Sequence, residues 1–430
     1  MRFAFLPAGA ALLLAGAPTA ASARQRGGAP RDAPILVRDV TVIDGTGAAA
    51  RAHQDILVRG GKIAALGATG ALGQAPDSAI DARGLFAIPG LIDAHVHLGT
   101  GPWDQRAATL KGALMGGVTS VLDLAGDARA TGDLQRAVIA GQIPGPRIQY
   151  VALFGGPEFF GDPRVLDASR GYAAGTAPWM QSVGDTTDFA HAVAMAKGTG
   201  AMGVKLYAAL DSLTDARATA AAHRQGMKVI AHATTFPGKP SDLVAAGVDV
   251  LSHTPYLVWE GSPRTGDFPA RARGDFLGVP ATSPAIERLL NAMKARGTAL
   301  NPTLWVFEQQ GADSVGKVRS PWMSAVTKRA AELGVWIVAG TDGLYNPRAD
   351  SLPTLHQELE LLVSQAGLTP LQAITAATRN AAWACGTDAT TGTIAVGMDA
   401  DLVLLSADPT ADIRNTRAIR TVMIGGRVVR

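Results

Sequence analysis

The stretch IDAHVHLG, residues 92 to 99, follows an apolar run that begins at Phe86 and places two histidines on either side of one valine. Side chains at positions i and i+2 of a β-strand point to the same side, so His95 and His97 face one way. Their Cα atoms would lie roughly 7 Å apart, which lets both rings bind one ion at about 2 Å. An isolated HxH pair is more often two half-exposed histidines at a strand edge. The rest of the chain therefore decides what this pair means.

Composition sets the first limits on fold and function. The chain has 430 residues, of which 47% are hydrophobic, enough for a large barrel and a smaller unit beside it. Its 39 basic and 36 acidic residues nearly balance, which argues against nucleic acid as a partner. Cys385 is the only cysteine, so a disulfide within the chain and a cysteine metal cluster are both excluded.

The amino-terminal residues have the pattern of an export signal. Arg2 precedes an apolar run through Leu14, and the small residues Ala21-Ser22-Ala23 resemble a cleavage site. We predict a signal peptide over residues 1–23, a flexible leader over 24–33, and an exported protein, periplasmic or secreted. The alternative is an uncleaved membrane anchor, but the apolar run is short for a membrane span. After cleavage we expect no membrane association.

The two ends of the chain share one pattern of short apolar strands. Gly60-Gly61 interrupts such a pair near the start, and Gly425-Gly426 interrupts another near the end. Gly-Gly between alternating apolar runs indicates a β-hairpin. We predict a small β-sandwich domain built from both ends, over residues 34–87 and 391–430, with the remaining chain inserted into it.

The inserted region, residues 88–390, repeats a different unit, in which a helical run ends in glycine and an apolar strand follows. Glycine is common just past a helix end. Eight such strands over about 300 residues predict an α/β fold, a (β/α)₈ TIM-like barrel, with a doubly wound open sheet as the alternative. The strands lie in the stretches that begin at residues 86, 116, 146, 200, 226, 247, 297 and 334.

Polar residues fall where five of these strands end, and in a barrel those ends meet at one mouth. Singly, each has an ordinary explanation, such as a hydrogen-bonded histidine, a lysine reaching solvent or an aspartate in a turn. Together they are hard to explain without a shared centre, because buried charged and imidazole groups are costly unless paired or ligated. The set comprises His95, His97, Lys205, His232, His253 and Asp342.

This set resembles the metal-dependent amidohydrolase superfamily. IPGLIDAHVHL, GVTSVLDL, GVKLY, VIAHA, GTDG and the tail with TAATRNAAWACG carry the resemblance over residues 34 to 430. The chain is most similar to the imidazolonepropionase-related branch, which includes prolidase-type Xaa-Pro dipeptidases and other N-acyl-amino-acid amidases.

The resemblance implies two divalent metal ions, usually Zn²⁺. His95, His97 and Asp342 would hold one ion, and His232 and His253 the other. Lys205, carrying a CO₂-derived carbamate, would bridge them; no glutamate occurs on that strand to do so. Without the carbamate, a mononuclear centre on His95, His97, His232 and Asp342 remains the alternative.

The implied reaction is hydrolysis of an amide or peptide bond by a metal-bound hydroxide, because a bound cation lowers the pKa of water towards neutrality. Asp342 would take the proton and deliver it to the leaving amine. His253 would help to hold the oxyanion, and Tyr207 would donate a hydrogen bond to the oxyanion or to a substrate carboxylate. For Tyr207, ordinary packing at the rim is the equal alternative.

The expected substrate is a small molecule, either a dipeptide such as Xaa-Pro or an N-acyl amino acid. A lactone, cyclic amide or phosphotriester hydrolase on the same centre is the alternative, and a non-catalytic secreted binding protein is a remote one. The resemblance also suggests a homo-oligomer. Four aromatic residues after strands 6 and 7 could form a wall for the substrate, with ordinary packing at the rim as an at least equal alternative: Tyr256, Trp259, Trp305 and Phe307. Any one of four arginines could clamp a substrate carboxylate, and the sequence does not choose among them: Arg164, Arg264, Arg271 and Arg273.

Overall fold

The computed structural model describes residues 33–73, 76, 78–99, 101–263, 266–310, 314–343 and 352–430. The predicted signal peptide and all but the last residue of the predicted leader lie outside these ranges. Within them, no helix combines the length and the apolar character that a membrane span requires.

The strands and helices of the described residues follow one another in the order that the sequence predicts, with short extra strands between. The strands are β1 (Ile35–Val42), β2 (Arg51–Arg59), β3 (Lys62–Ala68), β4 (Ser78–Asp81), β5 (Phe86–Pro89), β6 (Leu91–Val96), β7 (Val118–Asp123), β8 (Arg147–Gly155), β9 (Thr176–Ala177), β10 (Met180–Ser182), β11 (Gly203–Leu206), β12 (Lys228–His232), β13 (Val250–Ser252), β14 (Ala299–Asn301), β15 (Leu402–Leu405), β16 (Ile419–Ile424) and β17 (Arg427–Val428). The α-helices are α1 (Trp103–Met115), α2 (Ala128–Ile139), α3 (Pro163–Ala168), α4 (Phe189–Gly198), α5 (Ser212–Arg224), α6 (Pro240–Ala246), α7 (Pro284–Arg296), α8 (Leu304–Gln309), α9 (Ser314–Leu333), α10 (Leu355–Ser364), α11 (Pro370–Ala376) and α12 (Arg379–Ala384). Three 3₁₀ segments are Pro157–Gly161, Thr254–Glu260 and Ile413–Arg417.

Seven parallel strands form most of the barrel wall, in the order β6, β7, β8, β11, β12, β13 and β14. The segment 335–342 supplies the eighth position. On one side the Val338 amide donates to the Leu300 carbonyl at 2.9 Å, and on the other the Ala94 amide donates to the Ala339 carbonyl at 3.1 Å. The predicted α/β barrel is thereby confirmed, although its eighth strand pairs with β14 through a single bridge.

Glycines end two of the helices and allow the chain to turn into the next barrel strand. Both α6 and α7 end at a glycine in the left-handed conformation, with φ of 86° at Gly247 and 74° at Gly297. Such a residue stops a helix and turns the chain, and glycine adopts it without a steric penalty. The strands that follow are buried on both faces, as parallel strands covered by helices must be.

The two chain ends meet in a separate mixed sheet, with strand order β17-β16-β15-β5-β1-β2-β3 and β4 beside β1. Strand β5 lies between β1, from the same end, and β15, from the other. Buried Val37, Ile56 and Leu402 belong to its own apolar core. The prediction that both ends build one β-unit is confirmed. The predicted boundaries at 87/88 and 390/391 stay predictions.

Candidate metal centre

The first part of the site is built where β6 ends. His95 is fully buried, whereas His97 lies one residue past the strand and is partly exposed. Asp342 follows the eighth barrel segment, and its amide donates to the His95 carbonyl at 2.9 Å. The Asp342 carboxylate oxygen Oδ1 lies 2.9 Å from Nε2 of His97 and 3.2 Å from Nε2 of His95. One atom from each of these three side chains lies within 4.8 Å of the other two.

The second part is supplied by β11, β12 and β13. The Lys205 side chain is fully buried, and its Nζ lies 3.3 Å from Nε2 of His95. The ring of His253 lies with its centroid 4.9 Å from that of His95 and 4.9 Å from that of His232. The structure therefore brings all six predicted ligands to one mouth of the barrel, although their roles as ligands stay a prediction.

Burial keeps the imidazoles of His95, His232 and His253 in their neutral form. Burial and the nearby charge of Lys205 lower the pKa of His95 to about 4. Burial likewise holds the pKa values of His232 and His253 well below the ordinary value for histidine. A neutral imidazole offers a lone pair, which is the form that binds a metal.

The two charged residues of the site are also shifted. Burial lowers the pKa of Lys205 to about 8, so the neutral amine is accessible near neutral pH. Burial would by itself raise the pKa of Asp342. The close contacts that its Oδ1 makes with His95 and His97 outweigh burial and hold the pKa of Asp342 well below the usual range. Asp342 is therefore an ionised carboxylate.

Strained backbone marks the same end of the barrel. His253 has φ of 76° and Asp342 has φ of 55°, and both are non-glycine residues in the left-handed region. Such a conformation costs on the order of 1–3 kcal/mol and persists only where the surroundings enforce it. The strain turns both side chains into the mouth, where the other ligand candidates lie.

The donor set fits a divalent cation. Nδ1 of His232 is buried and has no hydrogen-bond partner among the described residues. Such an orphaned nitrogen costs free energy unless a ligand binds it. Neutral imidazoles with an ionised carboxylate are the nitrogen and oxygen donors that zinc prefers.

Tyr207 lies over the second part of the site. Its ring centroid is 4.0 Å from that of His232, and Nζ of Lys205 is 5.5 Å from the Tyr207 ring. Burial raises the pKa of Tyr207, so the hydroxyl stays protonated and can donate a hydrogen bond. Phe159 and Phe268 pack on Tyr207 at 4.7 and 5.3 Å.

The aromatic residues proposed for the pocket wall divide into two groups. Tyr256 and Phe307 flank His253, with ring centroids at 5.1 and 5.8 Å. Trp259 instead packs on Phe236 at 5.2 Å, and its indole nitrogen donates to the Arg271 carbonyl. Trp305 donates from its indole nitrogen to Gln357, and its ring lies close to Gly343, the residue after Asp342.

A cavity of about 710 Å³ opens beside His97 and Tyr207. Its wall is apolar on one side and carries arginines paired with nearby aspartates on the other. Arg164 lines it, hydrogen-bonds Asp162, and interacts electrostatically with the Tyr207 hydroxyl. The lining includes Leu153, Phe159, Val165, Ala168, Met180, Arg129, Arg164 and Arg170.

Of the other arginines, the structure places Arg271 near the site, where its guanidinium lies 3.8 Å from the Phe268 ring centroid and lowers the pKa of Tyr256 against the effect of burial. Arg273 closes a turn with Ala270, and Arg264 lies outside the described residues. Arg164 of α3 and Arg271 of a loop thus both act on the tyrosines of the site.

Sequence analysis missed residues that lie directly behind the ligands. Asn301 and Thr303 contact His95 and His253. Asp123 ends β7, and burial raises its pKa while the charges of His97 and Lys205 oppose this. The polar end of GVTSVLDL pointed to Asp123, because it is a charged residue at a strand end; Asn301 carries no charge to stand out. Phe159 lies in a short 3₁₀ segment and Phe268 in a loop, and neither stretch has a periodic pattern.

Comparisons with known proteins show the family and the fold. The amidohydrolase family profile matches residues 86–429. Ochratoxinase of Aspergillus niger is 28% identical over 391 residues, which span 79% of this chain and 75% of the relative.

Solved structures share the fold over nearly the whole chain. A Xaa-Pro dipeptidase with bound methionine in its active site superposes with a TM-score of 0.72 at 21% identity, covering 92% of this chain and 100% of the other. The structure of A. niger ochratoxinase gives a TM-score of 0.73 at 21% identity, covering 93% and 96%.

Proposed function

The chain belongs to the amidohydrolase family, and from that premise we propose that it is a metal-dependent hydrolase of an amide bond in a dipeptide, such as Xaa-Pro, or in an N-acyl amino acid. One observation carries the proposal: His95, His97 and Asp342 converge within 4.8 Å of one another beside a cavity large enough for a small molecule. The hydrolase relatives, Xaa-Pro dipeptidase and ochratoxinase, support this reaction class.

Two divalent ions, zinc by donor type, would be held by the six residues at the mouth. His95, His97 and Asp342 would hold one, His232 and His253 the other, and Lys205 as its carbamate would bridge them. The buried Lys205 amine suits that modification, because its lowered pKa exposes a nucleophilic lone pair to CO₂. When bound, the metal would lower the pKa of water and polarise the scissile carbonyl.

Proton transfer is assigned to Asp342. Its carboxylate is ionised and lies at the mouth, so it can take a proton from the attacking water and pass it to the leaving amine. Tyr207 stays protonated beside His232 and can donate to the carbonyl oxygen as negative charge develops there. The ring of His253 lies next to that of His232, on the same side of the site, with the two centroids 4.9 Å apart.

The cavity supports a substrate with an apolar part and a carboxylate. Leu153, Phe159 and Met180 offer apolar wall, and a volume of about 710 Å³ exceeds what a minimal dipeptide fills. Arg164 lines this cavity together with Tyr207, and we assign its guanidinium to the binding of a substrate carboxylate. A bulky N-acyl amino acid therefore fits the cavity better than a two-residue peptide of small side chains.

Export remains a proposal from the sequence. The residues that carry the signal pattern, 1–23, lie outside the described part of the chain. Expression of the full chain in a Gram-negative host and mass determination of the product tests it: a mature protein that begins after Ala23 in the periplasmic fraction is expected, and an uncleaved chain in the membrane fraction would contradict it.

The function is tested by amine release from purified protein supplied with zinc and bicarbonate. The panel contains Xaa-Pro dipeptides, other dipeptides and N-acyl amino acids of increasing acyl size, with Asp342→Asn as the blank. We expect turnover that is lost in the variant and that rises with the size of the acyl group. Zinc-loaded protein that cuts no amide but cuts lactones or phosphotriesters would overturn the proposed bond while leaving the centre in place.

A further inference from the structure

A short segment at the end of β14 contacts two of the site histidines from behind. Oδ1 of Asn301 lies 2.7 Å from Nδ1 of His95, and Oγ1 of Thr303 lies 2.9 Å from Nδ1 of His253. Only Pro302 separates Asn301 from Thr303, so one three-residue segment contacts a histidine in each half of the site. None of the three is used as a ligand or as a proton carrier in the proposed reaction.

The orientation of the Asn301 amide is fixed on its other side. Its Nδ2 donates to the Val338 carbonyl at 2.8 Å, so Oδ1 must be the atom that faces His95. Oδ1 can only accept, and Nδ1 of His95 therefore carries the proton. The lone pair of His95 is then on Nε2, which faces Asp342 and Lys205.

Close packing holds this pair together. Asn301 and His95 are both buried, and the eighth barrel segment passes them at Gly340. A Cβ added at Gly340 would come within 2.7 Å of both Nδ2 of Asn301 and Cβ of His95. Only glycine leaves room for the amide and the imidazole to meet at hydrogen-bond distance.

Thr303 is held in a conformation that it would not adopt by itself. Its φ is 54°, in the left-handed region, which is unfavourable for a β-branched residue. The buried carboxylate of Glu358 accepts from the next two amides, Leu304 at 3.0 Å and Trp305 at 2.6 Å. Glu358 thus anchors the segment, and the strained turn presents the Thr303 hydroxyl to His253.

We propose that Asn301 and Thr303 are positioning residues that fix the protonation and ring angle of His95 and His253, and so set the metal affinity of both halves of the site from one segment. The inference rests on the proposed metal-dependent function. Groups that hydrogen-bond the second nitrogen of a ligating histidine typically contribute 10–100-fold to metal affinity.

The test measures zinc affinity by competition with a chromophoric chelator, together with the absorption spectrum of the cobalt-substituted protein. Thr303→Val keeps the shape and the β-branch but removes the hydroxyl, and Thr303→Ser restores the hydroxyl. Asn301→Leu removes the acceptor for His95. Thr298→Val is the matched control, because it removes a buried hydroxyl just before β14 that donates to the Val248 carbonyl and hydrogen-bonds no histidine among the described residues.

We expect T303V and N301L each to weaken zinc binding about 10-fold or more and to shift the cobalt spectrum, with T303S and T298V close to wild type. If T303V binds zinc as tightly as T298V, the inference is overturned; should N301L fail to fold, the Thr303 pair still decides. A wild-type protein that binds no zinc would instead defeat the proposed function on which the inference rests.

Discussion

The barrel mouth and the seam between the barrel and the terminal sheet both bury histidine, but in opposite ways. At the seam, His356 of α10 has both ring nitrogens paired, Nδ1 with Oγ1 of Thr416 and Nε2 with the Gly116 carbonyl, each at 2.9 Å. At the mouth, Nδ1 of His232 is buried without a partner among the described residues.

The difference in hydrogen bonding distinguishes a histidine that stabilises the fold from one that is available to a ligand. A buried imidazole with both nitrogens paired ties two parts of the chain together and contributes to folding. A buried nitrogen left unpaired costs about 1–3 kcal/mol, which is retained only if something outside the chain offsets it. We infer that the seam histidine is structural and that the mouth histidines are arranged for a ligand.

The largest expected effect is the loss of amide hydrolysis when the site at the barrel mouth is altered. Asp342→Asn removes the carboxylate that contacts both His95 and His97, and should lower amide hydrolysis by roughly 10²–10⁴-fold because proton transfer and metal binding are both impaired. Steady-state rates at saturating zinc check this. The metal-free variant should unfold at the wild-type temperature, and a large loss of stability would mean that Asp342 is structural.

A second variant asks whether any buried unpaired atom signals a ligand site. Asp215 of α5 is buried, one of its oxygens accepts from Oγ1 of Thr235 at 2.7 Å, and the other has no partner among the described residues. Burial raises the pKa of Asp215 to about 7, so the folded state holds this proton more tightly than the unfolded state. Its contribution to stability is therefore complete below about pH 4 and declines as the pH rises to about 7.

Asp215→Asn mimics the protonated acid and should remove that decline. The free energy of unfolding of the variant relative to wild type should rise by on the order of 4 kcal/mol between pH 4 and pH 8, measured by urea titration. Asp211→Asn is the control of opposite sign, because the Thr214 amide lowers the pKa of Asp211. Loss of zinc binding in Asp215→Asn would show that this residue belongs to the metal site.

The substitution His356→Leu removes both hydrogen bonds that the imidazole makes at the seam. Two buried partners, Thr416 and Gly116, would lose their hydrogen bonds, at a cost of roughly 2–4 kcal/mol in the free energy of unfolding. Chemical denaturation of the metal-free protein measures this. The folded fraction should keep wild-type zinc affinity, so weakened zinc binding here would erase the distinction between the two regions.

The smallest expected effect is the stabilisation of the folded protein by zinc. Zinc at 100 times its dissociation constant should raise the free energy of unfolding by about 2.7 kcal/mol, because metal binds the folded state. Thermal unfolding with zinc, and again after a chelator, tests this. The stabilisation should persist in His356→Leu and be smaller in Asp342→Asn; equal stabilisation of all three proteins would point to zinc bound elsewhere.

Much of this picture was predictable from the sequence because barrel strands and their ends follow simple rules. The HxH at 95 and 97, and the single polar residues at 205, 232, 253 and 342, stand out against apolar strands. Parallel topology then dictates that they meet at one mouth. The prediction required no knowledge of side-chain packing.

The rest depends on contacts that no pattern encodes. Asn301 and Thr303 are uncharged, and their meaning appears only when Val338 and Glu358 fix their directions. The eighth barrel strand was predicted, but its pairing through a single bridge to β14 could not be. The prediction of an aromatic wall held for Tyr256, which packs on His253, but not for Trp259, which packs on Phe236. The conformation of the loop decides which rings face the site, and the sequence pattern does not encode that conformation.

The central claim is that the mouth, and not the seam, binds metal, and the zinc content of the purified protein tests it most directly. Wild type, Asp342→Asn and His356→Leu are loaded with zinc and bicarbonate, dialysed exhaustively, and measured by mass spectrometry of the metal. We predict about two ions per chain in wild type and in His356→Leu, and fewer in Asp342→Asn. Equal zinc in all three proteins, or none in wild type, would contradict the claim.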